Sequence, residues 1–311
     1  MRVALRLARN GSKCMMYVSR RESLMNKGGV DDFSKLQSEV DTQYLAKCRH
    51  LTKLALDHAV PITFAPPFGS ACIQRSDGRV ETITVPPPTP DQIESATCCL
   101  LQLRDDFFLV TGEHVLDKYQ ERLGNGESLV WQVGAVPFDP LPRVAWRGSS
   151  KSRRKDIVFL RLSEREAREA CADQARIILA ANAWPPSAPE EGELVVLAGY
   201  PKRIREFENE TITPGPLSAM LTVTRSVGDG IFKCRYESSD VRSFDSEALA
   251  LEDLRGNTGG ISGGPVFRIE DSSDPFVFVG VISEIGGGDV DDADTYVIEA
   301  VDGVPSSFPQ I

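Results

Sequence analysis

The run Gly259-Gly260-Ile261-Ser262-Gly263-Gly264-Pro265-Val266 constrains the fold more than any other part of the chain. Four glycines around one hydroxyl let the backbone turn through conformations closed to other residues. They also let a second molecule approach the peptide N–H groups with no Cβ in the way. Ser262 is therefore expected at a turn, which Pro265 ends. Beyond it Phe267, Arg268, Ile269 and Glu270 alternate apolar with polar, the period of a half-buried strand. A serine flanked by open amides suits acyl transfer, because the carbonyl under attack develops negative charge that N–H donors must meet. A glycine-rich hairpin with an incidental serine would satisfy the same residues.

Serine needs a base, and the chain offers three histidines, His50, His58 and His114, all of which precede Ser262. That order disfavours the G-x-S-x-G elbow of α/β-hydrolases, where the histidine follows the nucleophile. A phosphate-cradling loop would end in Lys-Ser or Lys-Thr and open a helix, whereas Pro265 and an alternating strand come next. The remaining order is histidine, acid, serine. His114 ends the apolar run Phe107 to Thr111 and opens a helical stretch from Val115 to Leu123. Asp156 opens a second apolar strand, Ile157 to Leu162. An acid so placed can fix the tautomer of an imidazole and stabilise the imidazolium that forms when it takes a serine proton.

Thr-Gly-Glu-His-Val at 111–115, Asp-Ile-Val-Phe-Leu-Arg-Leu at 156–162 and Gly-Gly-Ile-Ser-Gly-Gly-Pro-Val at 259–266 resemble the three signatures of chymotrypsin-like serine proteases, in the family's order and at roughly its spacing. The resemblance spans about residues 65 to 305 and is to a disulfide-poor, bacterial-type member. It implies an all-β fold of two six-stranded antiparallel β-barrels with the active site in the cleft between them. On that likeness His114 is the general base, Asp156 its orienting partner and Ser262 the nucleophile, with the N–H groups of Gly260 and Ser262 as the oxyanion hole. Phe278 to Ser283, with Glu284, Ile285 and Gly286, is similar to the strand that pairs with substrate backbone. Ser283, Glu284 and Gly286 are thus expected to bind substrate. The implied activity is that of a serine endopeptidase acting on polypeptides through an acyl-enzyme, with no metal or organic cofactor. A catalytically inactive barrel module that binds peptides or regulates a partner is the alternative.

The departures from the family pattern also carry meaning. Ile261 stands where many relatives keep an acid that receives a newly cut N-terminus, so activation by N-terminal insertion is not expected. Gly256 stands where relatives selective for basic side chains keep an acid, so a Lys or Arg preference is unsupported, although Asp253 or Glu284 could reach a pocket. Glu113 replaces the small residue usual beside the histidine.

The net charge of −10 argues against a general nucleic-acid binder. Seven cysteines with no C-x-x-C pair suggest neither a disulfide framework nor a zinc site, and adjacent Cys98 and Cys99 should face opposite sides of a strand. With no long apolar run and no secretory leader, no membrane span and a cytoplasmic location are expected.

Three segments follow in order. Residues 1–62 read as a basic tail and a helical extension, with helical periodicity from Asp31 to about Val60 that Pro61 ends. His50 and His58 fall on that helix facing solvent, and residues 31–60 are a possible surface for self-association or a partner. Residues 63–192 hold the first barrel and a helical linker, with a hairpin pairing Ala71 to Gln74 with Val80 to Val85 about an Asp77-Gly78 turn. Its main strands are expected near 95–103, 106–112, 128–134 and 156–162. The capping box Ser163-x-x-Glu166 starts a helix read to Ala181. Residues 193–311 form the second barrel, with strands near 194–198, 218–226, 231–237, 246–252, 265–270, 276–283 and 294–300. Asp289, Asp291, Asp292 and Asp294 read as an exposed acidic loop.

Overall fold

The computed structural model describes residues 51–74, 80–134, 136–148, 155–172, 177–181, 184–200, 205–208, 211–214, 218–228, 230–235, 260–270, 276–285 and 295–301, with short stretches before and after these. The chain divides into residues 1–50 and residues 51–311. In the first unit Arg6–Leu7 pairs antiparallel with Met16–Tyr17. The second unit is mostly β, with two curled antiparallel sheets and few helices, consistent with a chymotrypsin-like two-barrel fold.

The first sheet contains β1 (Ala59–Ala65), β2 (Glu94–Leu103), β3 (Asp106–Thr111), β4 (Val130–Val133), β5 (Val136–Phe138), β6 (Val144–Arg147), β7 (Val158–Leu162) and β8 (Leu179–Ala180). Their spatial order is β6-β7-β3-β2-β1-β4-β5, with β8 pairing parallel to β2. Six main strands are thus extended by two short ones, β5 and β8. The second sheet closes on itself as a six-stranded barrel, β9 (Leu194–Gly199), β10 (Ser218–Gly228), β11 (Ile231–Arg235), β14 (Thr295–Ala300), β13 (Phe276–Ile285) and β12 (Pro265–Ile269). The expected hairpin also forms, with Gly69–Gln74 against Val80–Val85. The Asp77-Gly78 turn, the strand expected near 246–252 and the Asp289–Asp294 cluster lie outside the described residues.

Strand β2 shows why these apolar runs become central strands. Cys98 and Leu100 face the core of the first sheet, while Cys99 and Leu101 face a second core shared with the barrel. Alternation puts successive side chains on opposite faces, and here both faces are dry. In the first core Phe64 stacks on Trp131 with ring centroids 5.3 Å apart, and Tyr119 meets Trp131 edge-on at 5.1 Å. Tyr119 belongs to α1 (Glu113–Gly124), so this aromatic packing fixes the helix that follows β3. The shared core joins Phe108, Phe159, Phe267 and Phe278, and Trp184 lies against Phe159 and Phe278.

Three sequence expectations are corrected. The helical periodicity read to Val60 stops at residue 57, and Ala59–Ala65 is a fully buried strand with Pro61 inside it. Pro61 fits because the ladder to β4 begins only at Ile62, and the Pro61 carbonyl accepts the Gly134 N–H at 2.9 Å where that neighbour ends. His58 is not a solvent-facing helical residue. It sits in the turn after the helix, with its Nδ1 3.0 Å from the Ile177 carbonyl and its ring 5.5 Å from that of Phe267. The helix read to Ala181 is α2 (Glu164–Ala172), started by the expected capping box, and Leu179–Ala180 instead pairs with Leu101–Gln102 of β2.

Phe159 touches the rings of Phe108, Trp146, Trp184 and Phe308 and is fully buried. Phe159→Ala should lower stability by about 3–5 kcal/mol, measured as a reduced urea midpoint at unchanged m-value.

Candidate active site

The site is assembled where β3 runs into α1. Gly112 is the extended residue between them, and His114 lies in the first turn of the helix. The first N–H groups of a helix have no partner within it, and Asp156 takes one of them. The His114 backbone N–H donates to Asp156 Oδ1 at 2.8 Å, while its ring Nδ1 lies 2.5 Å from Asp156 Oδ2. The carboxylate thereby fixes both the peptide and the imidazole of one residue. A Cβ on Gly112 would lie 2.7 Å from His114 Cε1, so glycine at that position makes room for the ring.

Asp156 is held from the second sheet as well. Ser283 donates its hydroxyl to Asp156 Oδ2 at 2.8 Å, and it sits where the β13–β14 register shifts between Ile282 and Glu284. A bulge re-aims one side chain out of the alternation, and here it turns Ser283 toward the acid. Burial works against the Asp156 charge, but hydrogen bonds from His114 and Ser283 outweigh it and hold its pKa below the ordinary carboxylate range.

Glu113, next to the histidine, now has a structural account. Its carboxylate is only 5% exposed and accepts Arg147 Nε at 2.8 Å. Arg147, on β6, also bonds Asp117 and reaches Gln120 at 3.4 Å, clamping the first turns of α1.

The Ser262 turn arrives from the other sheet. Gly260 and Gly263 have φ of 93° and 80°, conformations that side chains resist. Thr97 of β2 grips this turn. Its N–H donates to the Ser262 carbonyl at 2.9 Å and its hydroxyl to the Gly260 carbonyl at 2.7 Å. The same hydroxyl accepts the Tyr200 N–H at 2.9 Å, and the Thr97 carbonyl accepts the Thr111 hydroxyl at 2.7 Å. From the far side, the Gly263 N–H donates to the Ile282 carbonyl at 2.7 Å. A Cβ on Gly263 would fall 2.0 Å from Thr111 Oγ1 and 2.9 Å from the Gly112 nitrogen, so the turn lies directly against the residues that lead into His114.

The structure therefore brings His114, Asp156 and Ser283 into contact and packs the backbone of the Ser262 turn beside them. Among the described residues no hydrogen bond joins the Ser262 hydroxyl to the imidazole, and the N–H groups of Gly260 and Ser262 donate to no backbone carbonyl. His114 is 45% exposed and Ser262 is partly exposed. Glu284 is described only as a backbone position of β13, and Gly286, Asp253 and Gly256 lie outside the described residues. No group of three or more His, Cys, Asp or Glu among the described residues could hold a metal ion, and no helix among them is long and apolar enough to cross a membrane. Sequence reasoning missed Thr97 and Glu299. Glu299 is a buried acid on β14 whose carboxylate accepts the Asp156 backbone N–H.

No known protein-family profile matches the chain, and no curated protein matches it. Solved structures give distant likenesses. A thermostable serine protease, AL20, from an extremophilic microorganism is 12% identical at a TM-score of 0.42, over 80% of this chain and 93% of that one. The protease Anisep from Arthrobacter nicotinovorans is 13% identical at 0.41, over 79% and 90%. A structure described as showing aromatic interactions that drive coupled folding and binding of the Sesbania mosaic virus VPg protein is 10% identical at 0.35, over 78% and 94%. Likenesses this distant leave the chain's own strand order as the basis for its architecture.

Gly263→Ala should cost about 2–4 kcal/mol, from backbone strain at positive φ and from the clash with Thr111 and Thr97. Thermal melts would register the loss as a lowered Tm.

Proposed function

We propose that the chain is a serine endopeptidase working through an acyl-enzyme. The observation that supports this best is the convergence of the two sheets. A carboxylate-oriented imidazole on one meets, across Gly112, a glycine turn that presents a serine from the other. In this reading His114 takes the Ser262 proton as the hydroxyl attacks a peptide carbonyl. Asp156, ionised and already bonded to the ring, stabilises the imidazolium that results. The developing oxyanion is met by the N–H groups of Gly260 and Ser262. His114 then returns the proton to the leaving amine, and water releases the acyl group by the same route in reverse.

The substrate in this reading is a polypeptide lying beside β13, with Ser283, Glu284 and Gly286 at the subsite wall. Ser283 would then serve two ends of the site, because its hydroxyl is bonded to Asp156. The sequence features that favour a cytoplasmic protein without a cofactor belong to the same proposal. The surface proposed for self-association, residues 31–60, lies mostly outside the described residues.

Wild-type protein should label with a serine-directed fluorophosphonate and cleave an unfolded protein substrate, and Ser262→Ala should do neither. Wild type that neither labels nor cleaves, yet binds peptides as well as Ser262→Ala does, would identify an inactive binding module instead. Asp156→Asn should reduce kcat by about 10⁴ with little change in KM, measured on the same substrate.

A further inference from the structure

The segment that carries Asp156 is strapped to β14 at two consecutive residues. Lys155 is 6% exposed, and its Nζ donates to the Ala300 carbonyl at 2.6 Å. The Asp156 N–H donates to the Glu299 carboxylate. Glu299 is 5% exposed, and its Oε2 is buried with no hydrogen-bond partner among the described residues. Ile298 and Ala300 fill the barrel core, so Glu299 is on the opposite face of β14, with its strand partner Val281, which packs in the core shared by the two sheets.

A buried acid with one unsatisfied oxygen is costly as an anion, and the Lys155 ammonium, bonded to the Ala300 carbonyl, offsets only part of that cost. Among the described residues the charged groups facing Glu299 are Asp156 and Lys155, with His114 beyond Asp156. Its strand neighbours Val281 and Ile231 are apolar. Two carboxyl groups this close compete for one negative charge. Asp156 has the better claim, because His114 donates to it twice and Ser283 once.

We propose that Glu299 is a positioning residue that anchors Asp156 by its backbone N–H and, by gaining or losing its own proton, tunes how tightly Asp156 holds the His114 imidazolium. This rests on the peptidase reading for its catalytic consequence but not for the coupling itself. Burial raises the Glu299 pKa to about 7, with the nearby Asp156 charge adding to the rise and Lys155 opposing it. The switch therefore falls in the range where imidazoles titrate. Below that midpoint Glu299 is neutral; above it, a second negative charge behind Asp156 favours the protonated ring. The sign for stability follows. Folding raises the proton affinity of Glu299, so its contribution to stability declines as pH rises from about 4.5 through about 7.

The test uses the full chain with Glu299→Gln, which keeps an acceptor but cannot ionise, and Glu299→Leu, which has neither property. His114 is followed by NMR of its ring, assigned by the signal lost in His114→Ala. The His114 midpoint should move to lower pH in Glu299→Gln. The Tm of wild type, relative to that variant, should fall between pH 5 and pH 8. Fluorophosphonate labelling of Glu299→Leu should be about tenfold slower than wild type, equivalent to about 1.4 kcal/mol, and Glu299→Gln should recover most of that rate with its acidic limb displaced. An unmoved His114 midpoint in Glu299→Gln overturns the coupling, and wild-type labelling by folded Glu299→Leu overturns the anchoring. A Leu variant that does not fold leaves the Gln titration to decide. Should wild type fail to label while the His114 midpoint still moves, the peptidase reading falls and the coupling stands.

Discussion

The site depends on Thr97. Every polar group of this fully buried residue is committed, and together they tie β2 to three other segments. Its N–H and hydroxyl hold two carbonyls of the Ser262 turn, its hydroxyl also receives the Tyr200 N–H just after β9, and its carbonyl receives the last residue of β3. Inside a protein such bonds are electrostatically stronger than in water, and a broken one leaves a buried group unsatisfied. A turn of four glycines has many conformations open to it when isolated. Gripped by Thr97 on one side and by Ile282 on the other, it has few.

Charge at the junction is partitioned with equal care. Three carboxylates lie on the segments around His114, at Glu113, Asp156 and Glu299, and each has a different environment. Glu113 is paired with Arg147 and serves the helix. Asp156 collects the donors and keeps its charge. Glu299 is buried with a single backbone donor and holds its proton more firmly. Neighbouring acids whose environments push their proton affinities apart are the usual means by which a fold assigns distinct roles to like groups.

Much of this was legible in the sequence because strand ends and turns carry local signals. The apolar runs ending at Thr111 and beginning after Asp156 marked β3 and β7, and the residues at their ends are the pair now in contact. Cys98 and Cys99 fell on opposite faces as alternation requires. Strand β1 was not legible, since Ala59 to Ala65 is apolar but for Thr63 and has no period to separate strand from helix, while Pro61 looked like a stop. Ser283 could be placed on its strand, but the bulge that turns it onto Asp156 is a matter of register with β14, which no local pattern encodes. Thr97 and Glu299 are polar residues with apolar or small neighbours on their strands, and nothing in the local pattern says what they bond.

The two-residue strand β8 has an effect out of proportion to its length. It lies in the connection between the sheets and is stitched in parallel to Leu101 and Gln102, on the same strand that carries Thr97. A connector left loose would let two lobes swing apart like the halves of a clam shell. Sewn down this way, and backed by the aromatic layer of Phe108, Phe159, Phe267 and Phe278, it ties the two sheets together along β2 as well as through their shared core.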